Sequence, residues 1–256
     1  TKAVDVMDRV RAARELAAFK GDETISALSA ALTGEDFFGV RMAAAISLGE
    51  IGGDTARTVL TQRYKAESDS RVRRACVWAL GNFKDEAATD FLREVSQKDQ
   101  SYFTTVAAVR ALLANGSDKA FDAAKSALGK TSWQEVIAAS VFHGFSQAKD
   151  KRGVELALDH SKYGNPVPIR VAAIGCLGTL GKELQKEEKA DKIVDQLIEL
   201  TKDKNIRARV STIRALGKIG NKRALPALRE ARERECLDQL KAATMDAIKS
   251  LEETGK

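Results

Sequence analysis

Apolar and polar positions along this chain recur at spacings of three and four, the pattern of amphipathic helices, over nearly its whole length. The stretch Val40–Gly49, VRMAAAISLG, is followed by a glycine-rich exit and a second amphipathic run. Slid along the chain, this phrase lines up with VRAARELAAF from Val10, VRRACVWALG from Val72 and TTVAAVRALL from Thr104. It also meets EVIAASVFHG from Glu135, IRVAAIGCLG from Ile169, ARVSTIRALG from Ala208 and QLKAATMDAI from Gln239. Those starts lie 30, 32, 32, 31, 34, 39 and 31 residues apart. Eight copies at a near-constant period predict an all-α fold, an α-solenoid of about 15 helices in seven to eight pairs, right-handed in its winding.

Columns of the alignment carry the packing argument. The fourth position reads Ala13, Ala43, Ala75, Ala107, Ala138, Ala172, Ser211 and Ala242, all small. Small side chains in one column predict close approach of neighbouring helices, with the ninth-position leucines Leu48, Leu80, Leu112, Leu177 and Leu216 filling the space beside them. Gly49, Gly81, Gly144, Gly178 and Gly217 at the tenth position, and Gly52, Gly181 and Gly220 just beyond it, suit helix C-terminal caps. Asp22, Asp54, Asp85, Ser117, Asp150 and Asn221 are placed to cap the connecting helices. Two prolines make YGNPVPIR an extended turn, and Pro226 is expected to kink its helix near the first turns. The charged insertion GKELQKEEKADK reads as a helix extension or an exposed loop.

Composition narrows the class. Aromatics at 5% and only three prolines disfavour an all-β fold, and 44% hydrophobic against 30% charged residues is a folding composition. A net charge of +6 is spread through mixed sequence and reads as a solvated helical surface, so nucleic acid is not the expected partner. Cys76, Cys176 and Cys236 lie far apart, which argues against a disulfide framework or zinc motif and favours a reducing, cytoplasmic setting. No run is apolar enough for a membrane span. Because the chain starts at Thr1 and is helical almost at once, residues 1–256 read as one repeat domain cut from a longer chain.

The phrases SDSRVRRACVWALG and DKNIRARVSTIRALG resemble HEAT-like repeats of the short type also seen in phycobilin lyases. That resemblance covers nearly the whole chain and implies a scaffold fold, not one function. More narrowly, DVMDRVRAARELA, GEDFFGVRMAAAISLGEI and DQSYFTTVAAVRALL, in this order, resemble the C-terminal helical segment of aminopeptidase-N-like zinc metallopeptidases. This implies a non-catalytic domain that packs on a peptidase body or binds a protein partner along its concave side. The family's His-Glu-x-x-His zinc helix has no counterpart here, so no catalytic, metal or cofactor residue is carried over. The alternative is a stand-alone protein that binds nucleic acid or acts as a lyase-like adaptor.

Among polar features the most regular is an arginine column, Arg11, Arg41, Arg73, Arg170 and Arg209, with Asp36, Asp69 and Asp203 ahead of three of its members. A guanidinium can bridge two carbonyls and a carboxylate at once, so these residues are expected to form a ladder tying repeat to repeat, with a ligand-binding stripe as the alternative. Thr105 and Val136 break the column, which predicts an interrupted ladder and a softer middle. GKTSW, from Gly129, lacks the first glycine of a phosphate-binding loop and reads as a turn between helices. His143 falls in the leucine slot and is expected to be partly buried; Trp78 falls in a slot shared with Ile46 and Val141 and is expected in the core.

Overall fold

The computed structural model describes residues 5–185 and 187–253; Thr1, on which the fragment reading rests, and Lys186 of the charged insertion lie outside them. Two compact units divide the chain, Thr1–Lys130 and Thr131–Lys256. Unit 1 runs α1 (Val6–Glu15), α2 (Asp22–Gly34), α3 (Phe38–Ile51), α4 (Gly53–Ala66), α5 (Ser70–Leu80), α6 (Glu86–Lys98), α7 (Tyr102–Asn115) and α8 (Asp118–Ser126). Unit 2 runs α9 (Val136–Ala148), α10 (Gly153–Ser161), α11 (Val167–Glu183), α12 (Glu188–Leu200), α13 (Ile206–Ile219), α14 (Leu225–Arg234) and α15 (Asp238–Glu253). These are fifteen α-helices, and no strand occurs among the described residues. Odd-numbered helices carry the repeated phrase. In unit 1 they stack in the order α1, α3, α5, α7, and in unit 2 α9, α11, α13, α15, with even-numbered helices as a second layer.

Local chemistry sets the boundaries. Asp69, Ser101 and Asn205 sit just before α5, α7 and α13, and each side chain accepts from a backbone N–H of the first turn. Asp85 and Ser117 do the same for α6 and α8, whereas Asp22 and Asp54 lie inside the first turns of α2 and α4. The prolines start helices instead of bending them. Pro166 precedes α11, Pro168 lies in its first turn, and Pro226 is the second residue of α14, where a missing N–H costs nothing. The insertion is used both ways, lengthening α11 to 17 residues and adding the loop before α12.

Burial gives the register of the repeat. In α5, Val72, Ala75, Cys76, Val77, Ala79 and Leu80 are buried while Trp78, at position seven, is 54% exposed. The same break recurs at Arg110, Gly175 and Arg214. It falls on His143 in α9, between buried Ser140, Val141, Phe142 and buried Gly144, Phe145. The fifth copy therefore starts at Ile137, two residues later than the letters suggested. His143 and Trp78 point outward, and Val141 is not in Trp78's slot. The first copy starts at Asp8, because the Ser47 hydroxyl donates to the Ala13 carbonyl; elsewhere such bonds link positions offset by one or two. The last starts at Leu240, because Gly217 packs on Ala247 as Gly178 packs on Ala215. Corrected starts at 8, 40, 72, 104, 137, 169, 208 and 240 are 32, 32, 32, 33, 32, 39 and 32 apart, a steadier period broken only by the insertion.

Among the tenth-position glycines Gly81 caps α5 as expected, but Gly49 and Gly178 lie inside their helices and have a different task. A Cβ on Gly49 would lie 2.7 Å from the Ala79 Cβ, and one on Gly178 2.8 Å from that of Ala215. These glycines let the backbones of successive odd helices touch. The left-handed caps fall later, at Gly52 (φ 77°) and Gly220 (φ 76°). Of the expected small column, Ala43, Ala75 and Ala172 are buried fourth-position residues and Ala107 is half-buried; Ala13 and Ala138 are buried at other positions of the corrected register, and Ala242 is exposed. No described helix is long and apolar enough to cross a membrane.

Candidate functional site

The arginine column stands at the second position of the phrase, at the start of the odd helices, where it can reach the carbonyls of the loop behind it. Arg41 Nη1 donates to the carbonyls of Glu35 and Asp36, at 2.8 and 2.7 Å, and Nε donates to Glu67 Oε2 at 3.1 Å. Arg73 repeats this, to the carbonyls of Glu67 and Ser68 and to Asp99. Arg209 repeats it again, to the carbonyls of Asp203 and Lys204 and to Glu235. Glu35, Glu67 and Asp203 thus hold their own repeat's arginine with the carbonyl and the preceding repeat's arginine with the carboxylate, whereas Asp99 and Glu235 show only the carboxylate half with arginine. Arg170 donates to the Asp203 carboxylate with both side chains almost wholly buried, and lies 5.5 Å from the Tyr163 ring centroid.

Three of the expected residues are displaced. Arg11 is exposed; Arg9 stands in its place and pairs with Glu35 at 3.2 Å. Asp36 contributes only its carbonyl, and its side chain is exposed. Asp69 caps α5 and binds Arg71 through both carboxylate oxygens, not Arg73. The acids that meet the arginines are Glu35, Glu67, Asp99, Asp203 and Glu235. A sequence signal for them exists: each of Glu35, Glu67 and Asp203 lies six residues before its own repeat's arginine, and the same offset finds Asp99 before Thr105 and Glu235 before Lys241.

Rungs vanish as pairs. Thr105 replaces arginine in α7, its hydroxyl 3.5 Å from the Asp99 carbonyl, and the acid position that follows is Ser132. Ala138 is the second position of the fifth copy, and the acid position that follows is Gly164. Partners of opposite charge have been lost together, which leaves no buried charge stranded. In sequence, the first of these position pairs, 105 and 132, brackets the division at Lys130 and Thr131, and the second lies within unit 2.

Electrostatics follow from this wiring. Burial works to raise the Glu67 carboxyl, but the Asp69 N–H and the Arg63 and Arg41 guanidinium groups outweigh it and hold Glu67 below the ordinary carboxylate range. Asp99 is likewise lowered: burial opposes, while Arg73, the Ser101 N–H and the Tyr64 hydroxyl prevail. Tyr64, half-buried and donating to Asp99 at 2.7 Å, is pushed up well beyond an ordinary phenol by partial burial and the Asp99 carboxylate. Cys76 and Cys176 are buried, and burial drives both thiols up to about 12, so neither is a nucleophile near neutral pH; Cys236 is exposed.

Other candidates resolve into packing. Lys130, the lysine of GKTSW, donates to the Ser96 and Gln97 carbonyls and so closes the C-terminal end of α6. His160 Nδ1 lies 2.8 Å from the Leu156 carbonyl and its ring packs on Phe142. No group of three His, Cys, Asp or Glu close enough to hold a metal occurs among the described residues. What each unit presents is a row of odd helices with charged rungs between them and an outward side at position seven.

Comparison with known proteins agrees with that architecture. The family model described as HEAT repeats matches residues 2–80, 66–142 and 154–249. No curated protein matches the chain in sequence. Among solved structures, Kap121p bound to Ste12p is similar at a TM-score of 0.60 and 14% identity, over 98% of this chain and 32% of that one. YibA of E. coli gives 0.56 and 16%, over 97% and 99%. The complex of CpcE and CpcF of phycocyanin lyase from Nostoc sp. PCC7120 gives 0.53 and 16%, over 64% and 99%. At these identities the likeness is one of fold.

Proposed function

The chain belongs to the family of HEAT repeats, and we propose that it is a non-catalytic helical-repeat scaffold that binds a protein along the outer face of its odd-numbered helices. The observation that carries this reading is the ladder. Five arginine–carboxylate pairs are spent on holding one repeat against the next, and two further repeats do without. Such wiring keeps a long face in register and does no chemistry by itself. Kap121p, which shares the fold, is seen bound to the protein Ste12p, and this supports a protein partner here.

The finer reading, a C-terminal domain packed on an aminopeptidase-like body, rests on the phrases from Asp36 to Arg41 and from Asp99 to Tyr102. Both have a use that any HEAT array shares, since Arg41 and Asp99 are rungs and the Asp36 carbonyl receives Arg41. The comparisons add nothing to it. A lyase-like adaptor is the second reading, favoured by the likeness to the CpcE and CpcF complex, and it requires a second chain as obligate partner.

A photo-crosslinking residue placed at 78 or 110 on the odd row, and at 93 or 94 on α6, tests the proposal in cells carrying the natural gene. Protein adducts from 78 and 110 alone are expected. Equal adducts from both layers, none at all, or adducts to nucleic acid would overturn it.

A further inference from the structure

Building on the scaffold reading, we propose that the odd-helix face of unit 1 is a docking surface for an acidic peptide segment carrying aromatic or aliphatic anchors. The face consists of positions three and seven of the first four copies, together with the exposed Arg11 at position four of the first, where the next two copies carry buried alanines. Its cations are Arg11, Arg14, Arg74 and Arg110, and its apolar members include Met42, Ile46, Val106 and the 54% exposed Trp78. No acid stands at any of these positions.

Contrast with the even layer makes the point. There Arg57 meets Asp54 and Asp85, Lys98 meets Glu94, and Lys119 meets Glu86 and Asp90. On the odd face, none of the four arginines enters an ion pair among the described residues, and Arg74 has only the Phe103 ring, 6.0 Å from its carbon. A soluble helical surface ordinarily interleaves both signs, as the even layer does. A strip of four arginines and an exposed tryptophan, with Glu50 one turn beyond Ile46 as the exposed acid beside it, combines the residue types that dominate binding hot spots, and negative charge complements its excess of cations.

The rest of the chemistry selects among anionic partners. A second copy of this face would oppose arginine to arginine, so self-association through it is disfavoured. A nucleic-acid backbone would meet four cations but leave Met42, Ile46 and Val106 uncovered, and Trp78 is the one aromatic at these positions open to stack on a base. At the mouth of the row, the Phe38 ring is already covered by the Arg71 guanidinium at 3.5 Å. A peptide that alternates carboxylates with apolar side chains satisfies both the cations and the strip between them.

The test uses the full chain carrying Trp133→Phe, so that Trp78 is the only reporter. The probe is a peptide of about a dozen residues built from glutamate and aspartate with two phenylalanines. Saturable binding with a shift of Trp78 emission is expected, weakened by salt because exposed charges are screened within about 10 Å at 0.1 M. Arg74→Glu with Arg110→Glu should weaken it at least tenfold. Trp78→Ala should weaken it too, and Arg93→Glu on α6 should leave it within twofold. Equal affinity for the peptide with glutamine in place of its acids would overturn the proposal, as would tighter binding of oligo-dT or no binding at all. If the peptide fails while a crosslinker at 78 still traps a protein, the charge class falls and the scaffold reading stands; if both fail, both fall.

Discussion

Gly175 and Gly178 lie three residues apart on α11 and answer to different physics. Nothing stands within 4 Å of a Cβ at Gly175, whereas one at Gly178 would strike the Ala215 backbone and side chain. Gly175→Ala should therefore stabilise the protein by about 0.5–1 kcal/mol through helix propensity. Gly178→Val should destabilise it by about 1–3 kcal/mol through overpacking, and urea denaturation measures both. Equal effects would refute the close-approach role. A rung is the other unit at this scale. Arg73→Ala strands the Asp99 carboxylate, whose side chain is almost wholly buried, and should cost about 3 kcal/mol. Glu67 and Asp99 ionise in the folded chain below their unfolded values, so the unfolded chain binds protons first as pH falls. Their stabilisation is complete above the ordinary carboxylate range and is lost as pH drops through the lowered values. Urea midpoints should fall between about pH 7 and about pH 3, and the fall should be smaller in Asp99→Asn.

Each odd helix is a cylinder that must touch two others, and that requirement reads clearly in the alanine and leucine columns. It was legible for α3, α5, α7, α11 and α13, where the phrase ends in leucine or in leucine and glycine. The first, fifth and last copies lack that ending. There, matching letters misplaced the start by two, two and one residues, because burial and not residue identity defines the register. The α9 entrance shows why: Gln134 and Glu135 adopt positive φ, and this irregular turn uses up two residues that an alignment counts as helix. The ladder was half legible. Arginines at constant position were visible, but their partners sit one repeat onward, and a reader looks first at the adjacent aspartates. Where rungs carry no charge, the arginine–carboxylate pair seen elsewhere between successive repeats is missing. Amide hydrogen exchange should accordingly be faster in α8 and α9 than in α5 and α13, and uniform protection would count against the ladder as the source of stiffness.

For the molecule as a whole, the division at residues 130 and 131 falls in sequence between the members of the first uncharged position pair, 105 and 132. In a repeat array, stability is roughly a sum of repeat and neighbour terms, so a weak neighbour term separates cooperative units. Chemical denaturation of the full chain should show two transitions, and a fragment ending at Lys130 should retain a helical circular-dichroism spectrum and unfold cooperatively. A single transition, with the fragment unfolded, would instead support one domain over residues 1–256.

From its residues alone this chain determined an all-helical array, its number of helices, its period and the column that needs small side chains. Periodicity is a local property, repeated often enough to be counted. Only the tertiary structure decided which acid meets which arginine, that Gly49 and Gly178 are contact points between helices, and that Trp78 and His143 face outward. Those facts depend on what lies one repeat away in space, about thirty residues off in sequence, and a shift of one or two residues in register turns a helical side chain from core to solvent.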